Sequence, residues 1–261
     1  MQILTLISDL KLRDPYVSLI KAGLLTLPHK IQLVDITHTV ALGSVTQTAF
    51  LLSGSYEAFP KGTLHLIYTN CLRTPDTLPV WVSHNGHYFI GADTGVFSLF
   101  LDTENCKSLI YNELETDKST LSSKITQMVD WFLRGEIEAH TQPHTLKPAF
   151  YYKASFNNLE KRIEGNILYV DSDGNAITNI PVSLFHEAGN GRNFEAKISE
   201  HGILATHYSD QTITKNIEFH LAPNPMGYIE LKMPCGNIVP LTGIRLEDKI
   251  VIEFLEENTQ K

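Results

Sequence analysis

The order of apolar runs at the start of this chain limits its fold more than any other feature. Gln2 to Ile7 alternates as a strand, Val17, Ile20, Leu24 and Leu27 recur at helical spacing, and Ile31 to Ile36 alternates again. Val45, Ala49, Leu52 and Tyr56 then form a second helical stripe before a third strand from Thr63 to Thr69. Each helix must carry the chain back across the sheet, so strand, helix, strand, helix, strand predicts a parallel sheet with crossover helices. Asp14-Pro15 predicts a cap with proline at the first helical position, Ser44 caps the second helix, and Pro60-Lys61-Gly62 stops it.

Further along, Asn85-Gly86 between Pro79–His84 and His87–Ala92 predicts a tight hairpin with His84 and His87 on opposite strands. Those two imidazoles either flank the turn or begin a metal site, and the sequence places no third ligand nearby. Leu121, Ile125, Met128 and Phe132 form a core-facing helical stripe closed by Arg134-Gly135. His140 to Pro148 is polar and twice interrupted by proline, as a linker would be. Beyond it the periodic segments are short and alternating: Ile163–Asp171, Ala176–Ile180, Asn193–Ile198, Ile217–Leu221, Tyr228–Met233 and Lys249–Leu255. The chain therefore reads as α/β, with an N-terminal α/β domain over 1–142 whose sheet is mostly parallel. A linker over 143–160 and an all-β, barrel-like domain over 161–261 follow. A length of 261 residues suits two cores.

Composition removes several function classes. With 29 acidic against 21 basic residues and a formal net charge of -8, the chain offers no basic groove to nucleic acid. Its three cysteines, Cys71, Cys106 and Cys235, are far apart and form no Cys-x-x-Cys pair, which fits a reducing compartment. No apolar run approaches a membrane span and no basic n-region precedes the first strand, so the expected location is the cytoplasm.

In an open α/β sheet, ligands gather beyond the carboxyl ends of the strands, where this chain places Asp9, Thr37, His38, Thr69 and Asn70. The loop after the first strand, Ser8-Asp9-Leu10-Lys11-Leu12-Arg13, lacks the glycines of a pyrophosphate site. Asp9 is either a ribose-diol acceptor or a solvated loop acid. No Gly-x-Ser-x-Gly elbow, His-Glu-x-x-His helix or Walker sequence is present. In the second half, Val170-Asp171-Ser172-Asp173-Gly174-Asn175-Ala176-Ile177-Thr178-Asn179-Ile180 places acids and amides at a strand-turn-strand tip. That tip either merely supplies the turn or serves a site.

Several short segments resemble, in order and spacing, the S-adenosylmethionine (SAM) hydroxide adenosyltransferase family, which also contains fluorinating and chlorinating enzymes. They are Ser8-Asp9-Leu10 with Asp14-Pro15-Tyr16-Val17, Val34 to His38, Phe59 to His65, Gly86 to Gly95, Asp171 to Ile180 and Asn224-Pro225-Met226-Gly227. The resemblance implies attack on the ribose C5′ of SAM by water, giving adenosine and L-methionine. It also implies a homotrimer with the ligand between neighbouring subunits, and no cofactor besides SAM. Carried across, Asp9 holds the ribose hydroxyls, Asp171 the methionine ammonium and Asn175 the adenine edge, with Tyr208 the aromatic residue beside the base. Asn224 matches an Asn-Ser pair whose serine is here Pro225, and Asp173 replaces a common aromatic residue. The family's water-activating Asp, Arg and His set is degenerate. Asn70 stands at the Asp position, the Arg falls near Thr77 or Leu78, and Ser122 stands at the His. Arg73 either substitutes for the arginine or is a solvated loop residue. Hence three expectations coexist: a hydrolase using Asn70 and Ser122, a SAM- or adenosine-binding protein without turnover, or a halogenase with Thr69, Asn70 and Ser122 as neutral donors.

Overall fold

The structure, a computed structural model, describes residues 1–70, 77–112, 120–198, 202–210, 219–234 and 236–255. The chain divides into two compact units, Met1–Tyr151 and Tyr152–Lys261.

The first unit opens with β1 (Gln2–Ser8), α1 (Tyr16–Leu25), β2 (Ile31–Thr37), α2 (Val45–Ser53) and β3 (Leu64–Tyr68). It continues with β4 (Pro79–His84), β5 (His87–Ala92), β6 (Lys107–Tyr111), α3 (Leu121–Arg134) and β7 (Thr141–Pro143). The sheet order is β2-β1-β3-β5-β4-β6-β7. The strands β2, β1, β3 and β5 run parallel, while β4, β6 and β7 join antiparallel, so the parallel half is the part built from crossovers. Alternation along the strands fills both faces. Leu4, Leu6, Leu64 and Leu66 pack against α1 and α3, whereas Ile7, Ile67, Val82 and Phe89 pack against α2.

Two helix ends follow their sequence signals, whereas α2 stops at Ser53 with Gly54 at its cap, short of Tyr56 and Pro60. Ser44 accepts from the Gln47 amide, and Gly135 closes α3 in the left-handed region at φ 73°. Asp14, however, makes no cap bond, because Pro15 itself stands at the cap position with helical φ and ψ. Residues 141–149, linker-like in composition, are bonded within the first unit. β7 pairs with β6, Asp93 accepts from the His144 ring and the Lys147 amide, and the Ala149 amide donates to Ser98.

The second unit is an antiparallel, near-barrel sheet of eight strands. It contains β8 (Ser155–Asn157), β9 (Arg162–Val170), β10 (Ala176–Pro181), β11 (Phe194–Ile198), β12 (Gly202–Ala205), β13 (His220–Pro223), β14 (Tyr228–Lys232) and β15 (Lys249–Phe254). The order is β12-β11-β15-β9-β10-β14-β13, with β8 on β9. Its core is rich in isoleucine, including Ile163, Ile167, Ile180, Ile229, Ile250 and Ile252. Two short helices, α4 (Val182–Gly189) and α5 (Val239–Thr242), accompany the sheet. α4 forms between Pro181 and a left-handed Asn190, and it buries Phe185 and Ala188.

Candidate functional site

β1 lies between β2 and β3, so their carboxyl ends converge on the turn after Ser8. Asp9 is buried there, with 4% of its surface exposed. Its Oδ2 accepts two backbone amides, from Gly43 at 2.8 Å and Asn70 at 3.0 Å. Oδ1 accepts no hydrogen bond from a described residue. An ionised carboxylate oxygen without such a partner can still accept from a hydroxyl. Asn70 adopts φ 64°, a left-handed conformation that asparagine tolerates, and so presents its amide to Asp9. The Thr69 hydroxyl is buried and lies 3.0 Å from that of Thr48 on α2.

His38, just past β2, is also buried. Its Nδ1 lies 2.7 Å from Ser8 Oγ, and its Nε2 lies 3.1 Å from Asp35 Oδ1. The latter contact is close but misaligned as a hydrogen bond. Asp35 also takes Lys21 Nζ at 2.6 Å. Partial burial raises the Asp35 carboxyl, but the Lys21 and His38 contacts outweigh it and hold the group below the usual carboxylate range. Thr37 turns to Thr39 instead, hydroxyl to hydroxyl at 3.0 Å.

Leu10, beside Asp9, opens onto a cavity of about 660 Å³ between α1 and the start of α3, and Tyr68, Thr120, Ser122 and Thr126 also line it. Ser122 therefore faces the same cavity as the turn that carries Asp9. Its hydroxyl has no partner among the described residues. No charged side chain among the described residues lines this space. Arg73 lies outside the described residues.

In the second unit, Asp171 organises the tip between β9 and β10. Its Oδ1 accepts the Asp173 and Asn175 amides, each at 2.9 Å, and its Oδ2 accepts Asn175 Nδ2 at 2.9 Å. The turn role is thus filled, while among the described residues Asn175 Oδ1 and a remaining lone pair on Asp171 Oδ2 are left over. Gly174, at φ 84°, abuts Asn237, and its carbonyl accepts the Ile238 amide. Asn237 Oδ1 in turn accepts the Val239 amide at the start of α5, at 2.9 Å. Sequence reasoning misses Asn237 at this tip, since no local pattern links it to Gly174.

Two further candidates sit elsewhere in the second unit. Asn224 accepts the Met226 and Tyr228 amides in a turn whose Gly227 carbonyl receives the Val182 amide. That is the far end of β10 from Asn175, on the order of 15–20 Å away at about 3.3 Å per residue. Tyr208 stacks on Phe185 of α4, with ring centroids 5.1 Å apart, and its hydroxyl approaches His186 at 3.3 Å. Burial, with Asp210 adding, raises the Tyr208 phenol. The structure therefore brings Asp171 and Asn175 together and places the Asn224 turn at the other end of β10.

His84 and His87 are otherwise engaged. His87 Nδ1 lies 3.3 Å from His65 Nε2, the other side of which meets Thr5 at 2.8 Å, while His84 faces Cys106 and Asn85. Burial, with His87 adding, pulls the His65 imidazole down to about 3. Among the described residues no three His, Cys, Asp or Glu side chains could hold a metal ion, and no helix is long and apolar enough to cross a membrane.

Residues 4–143 match the SAM hydroxide adenosyltransferase N-terminal domain, and residues 165–251 match the C-terminal domain of the same family. The chain belongs to the SAM hydroxide adenosyltransferase family. This is a family of SAM-processing enzymes. The fold is similar to that of an uncharacterized conserved protein from Thermotoga maritima, with a TM-score of 0.81 and 19% identity, over 95% of this chain and 99% of that one. It is also similar to a conserved hypothetical protein from Thermus thermophilus, with a TM-score of 0.71 and 17% identity, over 98% and 100% of the two chains. Within the SAM hydroxide adenosyltransferase fold, Asp9 and Asn70 meet at one strand end, and Asp171 and Asn175 meet at one hairpin tip.

Proposed function

We propose that this protein binds SAM and hydrolyses it slowly to adenosine and L-methionine. The observation that carries the reading is Asp9, a buried carboxylate with Oδ2 held by two backbone amides and Oδ1 left to accept from a ribose hydroxyl. An ionised carboxylate gives such hydroxyls a charge-assisted bond. In the reaction a water oxygen attacks C5′ and the C5′–S bond breaks with its electron pair going to sulfur. The sulfonium leaves as the neutral thioether of methionine, and the water loses a proton to solvent. Because the leaving group is already a cation, the protein chiefly has to align water and exclude competitors, a task for Asn70 and the Ser122 hydroxyl, which has no partner among the described residues. Asp171 and Asn175 supply the contacts to the amino-acid and adenine ends, joined by Tyr208 and Asn224 if a neighbouring copy completes the pocket. A homotrimer with shared sites is part of this proposal, and no cofactor beyond SAM enters it. Light scattering checks the assembly.

Chromatography of the purified chain incubated with SAM tests the chemistry. Adenosine and methionine in equal amounts support it, and no adenosine above a buffer blank rejects it. A second reading, binding without turnover, is favoured by the lack of any charged side chain among the described residues that line the Ser122 cavity. Calorimetric binding of SAM with no product would establish that reading instead. Added chloride or fluoride, read for a 5′-haloadenosine, tests a halide nucleophile in the same assay.

A further inference from the structure

We infer that His38 is the positioning residue for Asp9, holding the whole turn 8–11 through a Ser8–His38–Asp35 chain. The inference rests on Asp9 being the ribose-holding acid of the proposed function. β2 carries a bulge where the register steps from Leu6↔Asp35 to Ile7↔Thr37, and such a bulge re-aims the residues beyond it, here His38. From that place His38 makes three contacts with separate purposes.

Its carbonyl accepts the Lys11 amide at 2.7 Å, closing the turn although Lys11 stands at φ 60°, which an L side chain adopts only at some cost. Its Nδ1 meets Ser8 Oγ, and its Nε2 meets Asp35 Oδ1. Asp35, ion-paired with Lys21, offers only acceptors, and its negative charge 3.1 Å from Nε2 favours an imidazole proton on that nitrogen by electrostatics, with Nδ1 as the acceptor. Ser8 must then donate to His38, which leaves its oxygen free to accept the Leu10 amide at 3.4 Å. Both neighbours of Asp9 in sequence are thereby tied to one hydroxyl, and the hydroxyl is tied to one ring. With Ser8 1% and His38 4% exposed, water cannot readily replace either bond. The chain of contacts emerges at solvent at Asp35 and Lys21, whose side chains are 40% and 30% exposed.

The test uses the full chain, calorimetry with adenosine and with 2′,3′-dideoxyadenosine, and amide hydrogen exchange of the unliganded protein. His38→Ala should weaken adenosine about tenfold, the worth of one buried hydrogen bond, and leave dideoxyadenosine within about twofold. A merely structural role would weaken both nucleosides alike, and that outcome overturns the proposal. Protection at Leu10 and Lys11 should also fall, and unchanged protection overturns it as well. Ser8→Ala, a smaller change, should give the same pattern if His38→Ala does not fold. Should the unaltered chain bind neither nucleoside, the ribose reading fails, and the exchange experiment alone decides the clamp.

Discussion

Asp9→Asn and Asp9→Ala separate what the carboxylate does for the turn from what it does for a ligand. In the native chain Oδ2 receives the Gly43 and Asn70 amides. Alanine removes that acceptor from both donors. Each lost bond costs about 1 kcal/mol where water can partly replace it, so Asp9→Ala should destabilise the fold by about 2 kcal/mol. Asparagine keeps a carbonyl oxygen for the two amides and should cost less than about 1 kcal/mol. It turns an NH₂ toward the ribose, however, and that group cannot accept a hydroxyl proton. Losing a charge-assisted bond is worth about 1.5–3 kcal/mol, a weakening of roughly 10- to 100-fold. Urea denaturation and calorimetry with adenosine read the two effects independently. An Asp9→Asn protein that binds adenosine as tightly as the parent would refute the assignment of Oδ1 to the ribose.

Acid stability should depend on His65, whose imidazole is pulled from 6.5 to about 3. The unfolded chain binds that proton first as pH falls, so stability is full above pH ~6.5 and is lost progressively down to about 3. The loss at pH 5 is roughly 2 kcal/mol. His65→Gln should remove about that much from the difference in unfolding free energy between pH 7 and pH 5, and an unchanged difference would contradict the buried neutral state. Gly174→Ala should destabilise by about 2–4 kcal/mol, because a Cβ there would stand 2.2 Å from Asn237 Cγ at φ 84°. Gly62→Ala is the control, with φ 91° and nothing within 4 Å, and should cost only about 1–2 kcal/mol in denaturant melts. Asn70→Asp should raise adenosine formation, at the low end of the 10²- to 10⁴-fold typical of a general base because the nearby Asp9 carboxylate opposes a second charge. An unchanged rate in chromatographic assays would show that water activation is not limiting.

Local signals in the sequence agree with the structure wherever one residue type does one local job. Asn85-Gly86 turns the β4–β5 hairpin, Ser44 caps α2, and the Leu121–Met128 stripe faces the core. Local reading fails where a longer-range or competing effect decides the outcome. Pro15 takes the cap position from Asp14, and α4 arises from a segment too short to show a helical period. Nothing local links Gly174 to Asn237, and nothing in the apolar pattern reveals that the turn holding Asn224 meets the end of β10 opposite to Asn175.

The candidate site adds a sharper reason for partial legibility. Asp9 is visible in the sequence because its side chain has a distinctive chemistry, but its two partners are the backbone amides of Gly43 and Asn70, and amides carry no residue identity. Position 70 therefore serves two ends at once. Its amide helps to hold the acid whatever side chain it bears, provided that side chain tolerates a φ of 64°, as both Asn and Asp do. Its side chain stands where the family resemblance puts the water-activating carboxylate. Replacing Asp by Asn there can remove the charge that activates water while sparing the backbone bond that holds Asp9. Under the proposed function, ligand binding and turnover are thus separable at a single residue, which is the separation that Asn70→Asp and Asp9→Asn test from opposite sides.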